Sequence, residues 1–280
     1  MTTALLTASI ALLSGFQSGA PLRQGAGDLL IAPTRIVFEG PKRTAEINLL
    51  NTGDKPATYR ISLIHERMNE DGKLDEIVSP GADDKFADEL VRFTPRQVTL
   101  EPHVAQIVRV QMRLPADLAE GEYRSHMLFR AVSSSDAPVQ AAAAGAPAKG
   151  IDIKLTPIYG LSIPVIVRHG ALKSATELSE VRLMKTPEGA PVLVGKITRT
   201  GNASVYGDVW VEFAPKGGKF TTVARANGVA VYSSNSIRNF AVLLSQDKAA
   251  HFEGGTLQIT YRRQDADGGQ VIAKSTVELP

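Results

Sequence analysis

Apolar residues in this chain return at every second position. Ala45, Ile47 and Leu49 alternate with polar neighbours, and so do Tyr59, Ile61 and Leu63. Val108, Val110, Met112 and Leu114 are interleaved with Arg109, Gln111 and Arg113. A period of two puts successive side chains on opposite faces, which is the pattern of a strand with one buried and one wet face. Residues 69–72, 216–218 and 267–269 are Gly-containing turn signals. Beyond the first few residues no long segment has a helical period, although residues 82–90 have room for a short helical turn. Many short strands with Gly and Pro punctuation predict an all-β fold of sandwich type.

Residues 133–150 break the alternation. They are rich in Ala, Ser and Pro and nearly free of bulky apolar groups, so they cannot bury enough surface to order themselves. We read them as a mobile loop between two strands. The strand-like residues 151–167 then belong to the preceding sandwich, and the boundary falls at residues 169–171. Further strands are expected at 191–199, 207–213, 228–232, 237–244, 255–262 and 271–278. This gives two Ig-like β-sandwich domains in tandem, 28–168 and 169–280, each of ordinary size.

The first residues differ in kind. Residues 4–16 are an Ala- and Leu-rich apolar run, too short to cross a bilayer comfortably. They read as the core of a secretory signal peptide, although no Lys or Arg precedes them. Small residues at Gly25, Ala26 and Gly27 favour a signal peptide of residues 1–27 and a mature start near Asp28.

Composition narrows the function classes. Apolar residues make up 43% and charged residues 21%, as in a globular core. A formal net charge of +2 gives no electrostatic case for nucleic acid. The absence of Cys excludes disulfides, thiolate metal sites and cysteine catalysis. Five histidines are scattered singly, without the spacing of a zinc site. There is no phosphate-binding Gly loop, and Gly160–Leu161–Ser162 lacks the second glycine of a nucleophile elbow. The Asp265 and Asp267 region lacks the terminal carboxylate of a calcium loop, since Thr276 stands there.

One cation stands out. Residues 29–40 read LLIAPTRIVFEG, with Arg35 between apolar strand formers and Pro33 arguing for an edge or a break. A guanidinium in such surroundings is costly to desolvate unless an anion meets it. The bland account is that Arg35 reaches solvent or pairs with Glu39.

Thr34, Arg35, Val37, Phe38 and Gly40 resemble the opening strand of the periplasmic pilus-assembly chaperones of the PapD-like type. Pro95, Leu100, Pro102 and Arg109 resemble that family's Pro-rich turn and following strand, and residues 151–168 its domain-closing strand. Residues 201–209 and 228–238 match more loosely. The resemblance implies a periplasmic, two-domain chaperone without cofactor or covalent chemistry. Its partners would be pilus or fimbrial subunits and an outer-membrane usher, with no nucleic acid and no small-molecule substrate. The closing strand would be lent to a subunit, a strand-addition mode described for this system. Its alternating Ile151, Ile153 and Leu155 would fill the client's groove. The client's C-terminal carboxylate would sit on Arg35 and a second cation. The family's lysine falls on Pro164 here, which leaves Lys154, Arg124 or Arg168 for that role. Two other classes stay open: a secreted Ig-like adhesin or structural module, and a sandwich enzyme needing a carboxylate pair that nothing here selects. The adhesin reading predicts aromatics on exposed loops, whereas Trp210 falls in a strand pattern and is expected in the core.

Overall fold

The computed structural model describes residues 28–81, 84–132, 159–244, 252, 254–264 and 269–280. These form eighteen strands and, among the described residues, no helix. The 82–90 region closes in a turn at residues 87–90 instead.

The first half builds two facing sheets. One has the order β1 (Leu29–Ala32), β3 (Thr44–Asn51), β9 (Ala105–Met112), β7 (Val91–Thr94). The other has the order β2 (Ile36–Phe38), β11 (Gly160–His169), β10 (Gly121–Ala131), β4 (Ala57–Ile64), β8 (Gln97–Leu100). This is the immunoglobulin arrangement, a four-stranded sheet of the first, second, fifth and fourth strands facing the closing strands. Ile47, Leu49, Val108 and Val110 meet Tyr59, Ile61, Met127, Phe129, Val165 and Val167 in a dry core. The alternation read in the sequence is the alternation between this core and the outer faces. A hairpin of β5 (Glu66–Met68) and β6 (Leu74–Glu76) projects from the end of β4.

The opening segment divides as its proline suggested. β1 pairs with β3 in one sheet, and β2 runs parallel to β11 in the other. Residues 33–35 carry the chain across, because a residue without an N–H cannot continue a ladder. Arg35 is thus placed at the crossing, immediately before β2, and not within a strand.

The second half repeats the plan. β12 (Ser174–Lys185), β13 (Pro191–Gly201) and β16 (Ile237–Leu243) form one sheet. β15 (Thr221–Val231), β14 (Val205–Pro215), β17 (Gly255–Arg263) and β18 (Val271–Leu279) form the other. Leu193, Ile197, Val209, Val211, Leu257, Ile259 and Tyr261 fill its core. Trp210 is not part of that core. Its neighbours Val209 and Val211 take the inner face, so Trp210 points outward, where the guanidinium groups of Arg225 and Arg262 lie 4.2 and 4.8 Å from its ring centre. The chain passes from β11 to β12 through Gly170, whose φ of +82° suits glycine.

A third, small cluster joins the halves. Met68, Ile166, Ala230 and Tyr232 are buried together, with Val37, Leu74 and Tyr206 packed around them. The β5–β6 hairpin adds hydrogen bonds through its carbonyls: Asn239 N–H donates to Glu70 O at 2.7 Å and the Asn235 side-chain Nδ2 to Met68 O at 2.8 Å.

Candidate functional site

β11 is paired unequally on its two sides. Along one side it meets β10 from Gly160 to His169. On the other, β2 covers only Val165, Ile166 and Val167. From Gly160 to Pro164 that edge has no strand partner among the described residues, so its backbone groups are free to accept another strand. The open edge stops where β2 begins, and the residue immediately before β2 is Arg35.

The side chains of β11 follow the same division. Ile163, Val165 and Val167 are buried in the first core. Two and four residues upstream, Leu161 and Tyr159 continue the same alternation, yet each is 47% exposed. The sequence reading placed the lending residues further upstream, at Ile151, Ile153 and Leu155. These, with Lys154 and the 133–150 loop, lie outside the described residues. Leu161 and Tyr159 were missed, although the alternation that marked the others runs through both.

Arg35 meets the second half of the chain. Its Nη2 donates to Ser204 Oγ at 3.3 Å, and its guanidinium carbon lies 4.6 Å from the Tyr206 ring centre and 5.7 Å from that of Tyr232. Its Nη1 is buried without a hydrogen-bond partner. Glu39, the partner offered by the bland account, is taken by Arg168. Burial lowers the Arg35 pKa from the usual guanidinium value, with Tyr232 and Glu122 acting the other way and the Arg168 charge adding to the fall. A guanidinium still carries its charge there, so an unpaired buried N–H on it is a strong donor in want of an acceptor.

Arg124 and Arg168 are brought to the same joint in different states. On β10, Glu122, Arg124 and His126 share one face, which looks toward the second half. Arg168 Nε donates to Glu122 Oε2 at 3.0 Å, Nη1 to Glu39 Oε2 at 3.2 Å and Nη2 to Ser204 O at 2.9 Å. Ser204 N and Oγ also donate to Glu122 Oε2, at 3.0 and 2.8 Å. Arg168 is therefore a clamp between the halves, with only the exposed Glu39 as a replaceable partner. Arg124 stacks on Tyr232, 3.8 Å from its ring centre, and Nη2 donates to Glu66 O at 3.0 Å. Its Nε and Nη1 are buried and unpaired. Arg35 and Arg168 line one cleft of about 820 Å³, whereas Arg124 lines a separate one of about 520 Å³.

His126 is fully buried beside these cations, its ring edge-on to Tyr232 at 6.1 Å. Burial, then the charges of Arg124 and Arg35, push its pKa down to about 3. It is neutral at physiological pH and leaves the arginines as the positive charges of the joint. Arg199 supports the arrangement from below. Buried itself, it donates to the carbonyls of Gly201, Ala203, Ser233 and Asn235, and so ties the turns that present Ser204 and Tyr232. The stretches 201–209 and 228–238, singled out in the sequence, hold Ser204, Tyr206 and Tyr232, but nothing in their spacing showed that they would face Arg35. Among the described residues no group of His, Asp and Glu is gathered as a metal site.

No family model and no curated protein matches the chain. Among solved structures it is similar to the YadV chaperone, at 12% identity over 90% of this chain and 100% of that one, with a TM-score of 0.43. It is similar to the CupB2 chaperone of Pseudomonas aeruginosa at 14% identity, over 90% and 100%, with a TM-score of 0.42. The E. coli chaperone DraB matches at 14% identity, over 90% and 96%, with a TM-score of 0.41. Likeness at this level leaves function to be argued from the residues themselves.

Proposed function

We propose that this chain is a periplasmic chaperone, with no enzymatic activity and no cofactor, that holds fimbrial or related surface-fibre subunits by strand addition and passes them to an outer-membrane usher. Residues 1–27 serve as its signal peptide, and 28–168 and 169–280 as its two domains. One observation carries the reading: the open edge of β11 runs directly into an arginine with an unpaired buried N–H. A client strand added to that edge gains backbone hydrogen bonds along Gly160 to Ile163 and from the Pro164 carbonyl, since Pro164 has no N–H to donate. Its alternate apolar side chains join Leu161 and Tyr159, and upstream Leu155, Ile153 and Ile151. A client strand running parallel to β11 would stop where β2 begins, and its terminal carboxylate would then meet Arg35.

The second cation is Arg168, which shares the cleft with Arg35. Its bond to Glu39 involves a carboxylate in water, and such pairs contribute about 0–1 kcal/mol. A client carboxylate can replace Glu39 on Nη1 without disturbing the bonds to Glu122 and Ser204. A charge-assisted contact of this kind contributes roughly 1.5–3 kcal/mol.

The test is capture of fimbrial subunits from periplasm, read by mass spectrometry, with the mature protein and with Arg35→Ala. The wild type should retain subunits and Arg35→Ala should lose them while remaining folded. Equal retention by both proteins, or no subunit on either, contradicts the reading. Glu39→Gln, which removes the competing carboxylate, should strengthen capture by a factor of a few.

A further inference from the structure

The cations of the proposed anion site, Arg35 and Arg168, belong to the first sandwich. The aromatic surfaces around Arg35 come from the second. Tyr206 lies on β14 and Tyr232 immediately follows β15. Tyr206 is half-buried, lines the same cleft as Arg35, and presents its ring 4.6 Å from the guanidinium. Tyr232 is buried in the joint and stacks on Arg124 at 3.8 Å while lying 5.7 Å from Arg35.

Arginine has four rotatable side-chain bonds, and Arg35 is held by a long hydrogen bond of 3.3 Å to Ser204 Oγ, with the Tyr232 side chain also engaging it. Arg124 and Arg35 carry like charges into the same low-dielectric joint, where the Arg35 charge disfavours that of Arg124 and the Arg168 charge disfavours that of Arg35. Glu122, a buried carboxylate near them, engages Arg168 and Ser204 through Oε2, and it makes no hydrogen bond to Arg35 or Arg124. Among the described residues neither cation is fixed by an ion pair in this arrangement. A ring face attracts a cation without neutralising it and without occupying its N–H groups. This is the kind of contact that keeps a guanidinium in place while leaving donors for a ligand.

The geometry points to Tyr206 and Tyr232 as positioning residues of the anion site: the second sandwich orients Arg35, through its two rings, toward the carboxylate of a chain bound on β11. This rests on the function proposed above and assigns the second sandwich a part in recognition. It also makes the selectivity for a free chain end depend on the joint between the halves.

The experiment uses a short strand-forming peptide of alternating valine and threonine, made with a free C-terminal carboxylate and with a C-terminal amide. Affinities for both are measured on the full mature chain. The readout is the ratio between them, because a merely structural loss weakens both peptides alike and leaves the ratio unchanged. The wild type should prefer the carboxylate, and Arg35→Ala should abolish the preference. Tyr206→Leu should narrow the ratio by about tenfold, and Tyr206→Phe, which keeps the ring, should restore it. Tyr232→Phe should likewise keep the wild-type ratio. If the wild type shows no preference, the carboxylate reading itself fails. If the wild type prefers the carboxylate and Arg35→Ala does not, but Tyr206→Leu keeps the full ratio, the positioning role is overturned and the carboxylate reading stands. Loss of the ratio in Tyr206→Phe as well overturns it too, since the ring would then not be the operative group.

Discussion

The two halves of β11 carry the same kind of side chain under opposite conditions. From Ile163 to Val167 the inward residues are covered by the four-stranded sheet, and β2 closes the free edge from Val165 onward. From Tyr159 to Leu161 the same alternation continues into solvent, on an edge that no described strand closes. Proteins normally blunt such an edge with charge, proline or a covering element. Here Pro164 stands only at its end, next to β2, and the stretch from Gly160 to Ile163 stays uncovered among the described residues as it leads to a cation flanked by aromatic rings. One strand is thus core at one end and open edge at the other, and the changeover is set by where β2 starts.

The sharpest way to break that comparison is to place the same charge on both halves. Val165→Asp puts an unpaired carboxylate in a dry core and should destabilise the first sandwich by more than about 4 kcal/mol, enough to unfold it. Leu161→Asp should shift stability by no more than about 0.5 kcal/mol, as at other surface positions, while removing client capture. Chemical denaturation of the two variants checks this. Equal loss of stability would mean that Leu161 belongs to the core after all, and silence in both would make β11 an ordinary edge.

The next effect concerns the clamp. Arg168→Met leaves Glu122 buried against Ser204 without its cation, and removal of one partner of a buried pair costs about 3–5 kcal/mol. Melting of the variant should show that loss, with the joint opening before either sandwich core. A change below about 1 kcal/mol would mean that Ser204 alone holds Glu122 and that Arg168 is freer to serve a ligand.

A smaller and pH-dependent effect comes from His126. Its folded pKa of about 3 lies below the ordinary 6.5, so the unfolded chain binds the proton first. The neutral ring's contribution is complete above pH 6.5 and is lost as pH falls toward 3, at up to about 1.4 kcal/mol per pH unit. His126→Gln should flatten the stability profile across that window and leave it unchanged above neutrality. A slope that survives the substitution would assign the acid sensitivity to other groups.

Much of this was legible in the sequence for a physical reason. Period-two alternation reports directly which side of a strand is dry, so the sandwiches and most strands could be read off the chain. Pro33 marked the break between β1 and β2 because it lacks a donor. Arg35 was legible because a cation among strand formers needs a partner. The joint was not. Ser204, Tyr206 and Tyr232 lie in the second sandwich, far from Arg35 along the chain, and contacts between separately folded halves leave no local period. Trp210 was misplaced for a different reason: its place in a strand pattern suggested the core, but its parity with Val209 and Val211 put it on the outer face.

Amide hydrogen exchange on the full mature chain, free and saturated with a fimbrial subunit, tests the central claim most directly. In the free protein, amides of residues 160–163 that face the open edge should exchange quickly, and those of 165–167 under β2 should exchange slowly. Subunit binding should slow exchange across 160–163, up to Pro164 and the start of β2, and leave the edges at β1, β7 and β8 as they were. Protection that falls on one of those other edges, with 160–163 still exchanging quickly in the complex, would contradict the account.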